Sequence, residues 1–426
     1  MADAATVVLP ENAPMEAAVS RERTLRGRDF SWFWSAYTVS IFGDQLTLIA
    51  LPIAAFARTN SALAVGLVTS MEGATTVLFG LFAGAIADRL RHRPVLIATD
   101  LGRCAVLAAL ALVVAGRPEH YPVYALYLAA FFLGALRILH DGAAGSALPL
   151  IVSGRELLRA NGRLNGSESV GNAGGPALAG ALTSISVGLA FAVDALSFAL
   201  SAVGVSRIKR FREAPRPEHT DKPMKSEIRE GLRAVRSDSS VVKAMLLITG
   251  MNVMAVAAEA QFVPYAKTVL HAGNVAIGVY FAIAGVAGVV TALLLGRSDH
   301  TRGDAMIFGV AVFALGILAA GVFPSRITVA VTYVLAGSGA VLAVSHWGSL
   351  RQRRFPVRIL GRVTVATRMV LWGIMPFAAL AGGALASAAG SETLFIAAGC
   401  VGLAACVWAW AVGLGSLRVD DVVQEG

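Results

Sequence analysis

The chain has 426 residues, of which 56% are hydrophobic and only 15% charged, with a formal net charge of +9 and a mean hydropathy of +0.68. That balance excludes a soluble globular protein, which needs far more polar surface to cover its core. The positive charge does not indicate nucleic acid either, because the basic residues lie mostly in short segments between long apolar runs, as membrane topology and anionic lipid require.

In hydrocarbon every backbone N–H and C=O must be bonded internally, so spanning segments are helices or a closed barrel. The apolar runs lack the period-2 alternation of barrel strands and have the length of spanning helices. The first 29 residues are polar and of mixed charge, with no apolar stretch and cleavage site, and read as a cytoplasmic tail without a signal peptide. Spans are predicted at Phe30–Ala57, Ala62–Ile86, Val95–Ala115, Val123–Leu150, Ser167–Leu189 and Phe191–Ser206. A charged, Pro-containing segment over 207–240 follows. Within it Ile228, Leu232 and Val235 share one helical face flanked by basic residues, as in a helix lying flat at the interface. Six more spans follow at Val241–Ala266, Ile277–Gly296, Ala305–Phe323, Ile327–Gly348, Val363–Ala388 and Leu394–Leu417, then a tail over 418–426. With both termini cytoplasmic, about 30 of the 36 Lys and Arg fall on the inner side, while Arg58, Arg117, Lys267 and Arg326 fall outside.

The halves echo each other. The Gly/Pro text Gly175–Leu182 in span 5 resembles Pro376–Leu385 in span 11, and the loop after span 2 has a degenerate counterpart at Gly296–Asp304. The expected architecture is an all-α membrane protein of twelve transmembrane helices in two pseudo-symmetric six-helix bundles, 30–206 and 241–417. Such a layout belongs to carriers whose substrate site lies between the halves near the midplane.

An ionisable residue inside a spanning helix costs a few kcal/mol on most scales and is functional until a partner is found. Asp44 lies about 21 Å along span 1 from Phe30, at 1.5 Å per residue. Tyr37, Ser40, Asp44 and Thr47 form a polar stripe on that helix, and Thr69, Glu72 and Thr76 form another on span 2. Low-dielectric surroundings disfavour the charged form of a carboxyl, which suits a proton carrier or a counter-ion for a cationic substrate. Arg137 and Asp141 share a face of span 4 at i,i+4, with ion pairing and transport roles both open. Asn252 and Glu259 share a face of span 7. Arg368, close to the cytoplasmic end of span 11, can snorkel to the interface.

Between spans 2 and 3 the chain reads Gly84-Ala85-Ile86-Ala87-Asp88-Arg89-Leu90-Arg91-His92-Arg93. This resembles the Gly-x-x-x-Asp-Arg-x-x-Arg-Arg signature of the major facilitator superfamily. The resemblance implies a cytoplasmic gating loop containing Gly84, Asp88, Arg89 and Arg93, to which the Asp100-x-x-Arg103 pair opening span 3 is joined. Gly171, Gly175, Pro176 and Gly180 in span 5 are similar to the Gly-x-x-x-Gly-Pro-x-x-Gly-Gly motif of that superfamily's exporters, departing from it at Ala179. Phe42-Gly43-Asp44, Ala147-Leu148-Pro149, Ala192–Phe198 and Leu360-Gly361-Arg362-Val363 extend the likeness to the macrolide-efflux and enterobactin-exporter branch. Glu72-Gly73-Ala74 departs from the apolar stretch expected there. The resemblance implies export of a hydrophobic or amphipathic small molecule by proton antiport, through a monomer in the inner or plasma membrane.

No Gly-x-x-x-x-Gly-Lys-Ser/Thr loop occurs, so ATP hydrolysis is not the expected energy source. Cys104, Cys400 and Cys406 match neither metal nor disulfide spacing, and no catalytic constellation stands out. The expectation is a non-enzyme with no cofactor and no metal, whose partners are a small molecule, protons and lipid, with no nucleic acid. An importer or flippase on the same fold and a non-transporting sensor or assembly factor are the rivals.

Overall fold

In the computed structural model the chain is described at residue 25 and residues 27–89, 91–118, 120–209, 211, 224–295 and 302–417. Helices α1 (Arg28–Thr59), α2 (Ala62–Arg89), α3 (His92–Gly116), α4 (Val123–Ile151), α5 (Leu157–Ile185) and α6 (Val187–Ser206) form the first six spans. A shorter helix, α7 (Met224–Ser237), precedes α8 (Ser239–Ala260), α9 (Phe262–Thr268), α10 (Asn274–Leu295), α11 (Gly303–Val322) and α12 (Arg326–Arg354). Helices α13 (Val357–Gly373), α14 (Met375–Ala389) and α15 (Ser391–Ala411) close the chain.

Two predicted spans are each broken in two, with a proline just past each break. Pro264 and Pro376 lack an N–H, and each ring would strike the carbonyl four residues back, at Ala260 and Trp372. The helix before each proline ends near that carbonyl, and a new one starts with proline in its first turn. Span 7 becomes α8 and α9, with Gln261 between them, and span 11 becomes α13 and α14, with Ile374 between them. Span 5 is corrected in register, because α5 begins at Leu157 rather than Ser167. Its first half carries Asn161, Asn165, Glu168 and Asn172, which face an internal chamber instead of lipid. Eleven helices or helix pairs among the described residues are long and apolar enough to cross a membrane. With α5, whose polar half keeps it off that count, the twelve expected spans are present.

Helix α1 packs on α5 and α6, α2 on α4, and α3 on α4 and α6. In the second set α11 packs on α12 and α15, α10 on α12, and α8 on α14 and α15. The two sets meet chiefly where α5 crosses α10 and where α2 crosses α14. Small residues permit the approach. A methyl group on Gly180 would lie 2.6 Å from the Asn274 carbonyl oxygen, and one on Gly66 would lie 2.8 Å from that of Ala379. Ser70 donates to the Pro376 carbonyl at 2.9 Å and Asn274 to that of Thr183 at 2.9 Å, both across this seam. These contacts belong to the start of α2 and the end of α5, so the bundle is shut on that face. On the other face, where α1 begins, polar space runs between the helices. That face carries Arg351, Arg353 and Arg354 at the end of α12 and is called the basic face below.

The segment expected to lie at the interface is helical as α7, and it packs on the protein. Gly231 and Val235 are buried, α7 packs along α13, and Glu230 pairs with Arg362 at 2.6 Å. Asp238 caps α8, its Oδ1 accepting from the Ser240 and Val241 amides at 2.9 and 3.1 Å.

Candidate translocation site

Inside the first six helices, polar groups gather around Arg103 of α3, whose side chain is 2% exposed. Its Nη2 lies 2.7 Å from Asp100 Oδ1 and its Nη1 lies 3.5 Å from Asp44 Oδ1 on α1. The guanidinium also stacks 4.1 Å above the Phe198 ring. Asp100, with no exposed surface, accepts from Ser201 at 2.7 Å, and His140 Nε2 is 3.5 Å away. Asp194 of α6 is equally buried, accepting from Ser197 at 3.0 Å and from Thr47 of α1. Buried charge survives only where it is paired and hydrogen-bonded; Asp100 meets that condition, whereas Arg103 Nε has no hydrogen-bond partner and Asp194 is held by hydroxyl donors alone among the described residues.

Beside it lies a cavity of about 340 Å³ between the two helix sets. Glu72 and Arg137 line it and approach to 3.5 Å, and Asp141 lies 3.9 Å from Arg137. Thr47, Thr69, Thr76 and Glu259 share the lining with Phe281, Trp372 and Met375. A second chamber of about 440 Å³ lies among α1, α4 and α5, bordered by Tyr37, Ser40, Asp44 and Glu168, with Arg137 and Asp141 common to both spaces. There Tyr37 donates to Glu168, and Gln45 donates to Asn172 at 2.6 Å. The side chains of Arg137 and Asp141 are 50% and 65% exposed, and these cavities are the spaces they face.

The structure thus gathers Asp44, Glu72, Arg137, Asp141 and Glu259 with the polar stripes of α1 and α2. Other expectations need correction. Asn252 lines neither cavity, and its amide donates to the Leu371 carbonyl at 3.4 Å, between α8 and α13. Asp100 and Arg103 belong to the buried network within α3 rather than to a gating loop, which a linear motif cannot reveal. Nor is Gly84–Arg93 mostly loop, because α2 stays helical through Arg89 and α3 starts at His92. The side chains of Gly84, Asp88 and Arg89 lie outside the described residues. Arg93 donates to the Ser206 carbonyl at 2.8 Å, tying α3 to the end of α6. The α5 motif divides its work: Gly171 and Gly175 abut Ile41 and Gln45 of α1, while Pro176 and Gly180 meet Gly278 on α10. Arg368 stacks on Trp372 at 4.2 Å.

Sequence reasoning did not single out Asp194, Glu168 or the Phe281 and Trp372 walls. The signal for Asp194 was available, since it is an ionisable residue in the middle of an apolar span. Glu168 fell at the edge of a span whose start was placed too late.

Twelve crossings in two packed sets, shut on one face and hollow on the other around charged side chains, define a membrane carrier. The family model described as Major Facilitator Superfamily matches residues 33–379, and the chain belongs to that superfamily of transporters. Macrolide efflux protein A of Streptococcus pyogenes is 20% identical over 375 residues, covering 87% of this chain and 92% of that protein. The uncharacterized MFS-type transporter YfiS of Bacillus subtilis is 24% identical over 387 residues, covering 86% and 89%. Among solved structures, a bacterial homologue of the iron transporter ferroportin in the inward-facing state shares the fold with a TM-score of 0.71 at 16% identity, over 92% of this chain and 99% of that one. A bacterial homologue of the human lysosomal transporter Spinster, also inward-facing and unoccupied, gives 0.69 at 13% identity, over 93% and 98%.

Proposed function

We propose that this transporter exports a hydrophobic or amphipathic small molecule from the cell by alternating access, driven by proton antiport. In this reading the basic face is cytoplasmic, both termini lie there, and the protein resides in the inner or plasma membrane. The bundles over 30–206 and 241–417 rock about the central cavity, and the state described above is the one open to the cytoplasm. The observation that carries the reading is the Glu72–Arg137–Asp141 group lining that cavity, with Asp44 and Arg103 adjacent. Each carboxylate shares its cation with another acid. A proton arriving on one acid frees the guanidinium for the other, a response that can couple protonation to movement of α1, α2 and α4. The exporter motif on α5 and the macrolide-efflux relative point to outward movement of a lipophilic compound.

Purified protein in proteoliposomes is expected to move a macrolide or a lipophilic dye against an imposed pH gradient. Asp44→Asn and Glu72→Gln should each lower gradient-driven flux by about 100-fold, the lower end of the range for a lost proton-transfer group, while leaving downhill exchange measurable. Flux equal to wild type in both variants at every pH would remove the coupling assignment. Uptake compared between everted and right-side-out vesicles fixes the direction.

A further inference from the structure

The charges around the central cavity are unevenly matched. Arg137 lies between Glu72 and Asp141, at 3.5 and 3.9 Å, so two acids share one cation. Glu259, on α8 across the cavity, has no ion-pair partner among the described residues, yet its side chain is exposed to that space. It shares the cavity with the Glu72–Arg137–Asp141 group on one side and with aromatic walls on the other. Phe281 and Trp372 line the same cavity, and behind Phe281 stand Tyr333 and Phe262, at centroid distances of 5.3 and 5.5 Å. Arg368, the nearby base on α13, is stacked on Trp372 at 4.2 Å.

A carboxylate with no ion-pair partner, in a cavity whose other acids already share Arg137, calls for a cation, and ring faces add attraction for one. The volume of about 340 Å³ is within the range for drug-sized ligands. We propose that Glu259 binds the charged centre of a lipophilic monocation, with Phe281 and Trp372 supplying the adjoining ring surface. The assignment rests on reading this cavity as the substrate path, and it separates two jobs. Acids paired to arginine on α2 and α4 serve coupling, and the unpaired acid on α8 selects substrate charge.

The test uses the full chain purified in detergent and equilibrium dialysis with two probes, tetraphenylphosphonium and uncharged triphenylphosphine oxide. Glu259→Gln should weaken tetraphenylphosphonium binding by about tenfold or more, roughly one charge–charge attraction in a partly desolvated site, and leave the uncharged probe unaffected. Glu259→Asp should recover part of the cation affinity. Unchanged cation binding in Glu259→Gln, or equal loss of both probes, overturns the proposal. It is also overturned if Glu259→Gln abolishes gradient-driven flux of an uncharged substrate, since Glu259 would then carry the proton. If the wild type binds the cation through Glu259 but moves nothing under a pH gradient, the export reading fails and the binding assignment stands.

Discussion

Replacing Arg103 by methionine is expected to be the most damaging single change in the protein. It would strand Asp100, which has no exposed surface, and remove the cation facing Asp44. Breaking a buried pair from one side costs about 3–5 kcal/mol because the remaining charge is left in a low-dielectric interior. The stacking on Phe198 is lost as well. The apparent unfolding midpoint in detergent should fall by many degrees, and little monodisperse protein should survive purification. A second change, Asp100→Ser, removes the orphaned charge and should restore much of the yield. A midpoint for Arg103→Met matching wild type would show that the network contributes nothing to stability.

The second large effect is expected at the seam between α5 and α10. Gly180→Leu forces a side chain against the Asn274 carbonyl and Gly278. Overpacking of this kind costs about 1–3 kcal/mol, and here the cost falls on the state shut on the face opposite the basic one. A state with that face open escapes it, so the balance should shift by about 5- to 150-fold. Ser70, buried and bonded to the Pro376 carbonyl at the separate α2–α14 contact, reports the shift. In a background without Cys104, Cys400 and Cys406, Ser70→Cys should react slowly with a maleimide and much faster when Gly180→Leu is added. No change in labelling would mean that the two contacts do not open together.

The helical architecture was legible because composition and run length alone decide it. The membrane admits few alternatives, and apolar runs of this length satisfy one of them. Depth and partnership were far less legible. Asp100 and Arg103 stand near the start of a span, and their spacing suits a loop motif as well as a buried pair. Only the approach of α1, α4 and α6 brings Asp44, His140 and Ser201 to them. The start of α5 was set too late for a related reason, since a helix turned toward an internal chamber carries asparagines that hydropathy counts as non-membrane. Pro264 and Pro376 mark the breaks at Gln261 and Ile374, but proline alone does not set them, since Pro52, Pro149 and Pro176 lie inside helices that continue. Glu259 was legible as an ionisable residue in a span, but its lack of a partner belongs to the tertiary structure.

The two proline breaks share a side and a half of the molecule. Helices α9 and α14 are the short segments beyond the breaks, and α14 forms the contact with α2 while α9 touches α1. The hydrogen-bond ladder resumes anew in each, the Tyr265 amide donating to the Gln261 carbonyl at 3.1 Å and the Ala378 amide to the Ile374 carbonyl at 3.0 Å. Helices α1, α2 and α5, against which the second half closes, run unbroken past the same level. On that side the C-terminal half therefore meets its partner through two segments that each start a fresh helix, both seated in packed surroundings, while α13 is held at its far end by α7.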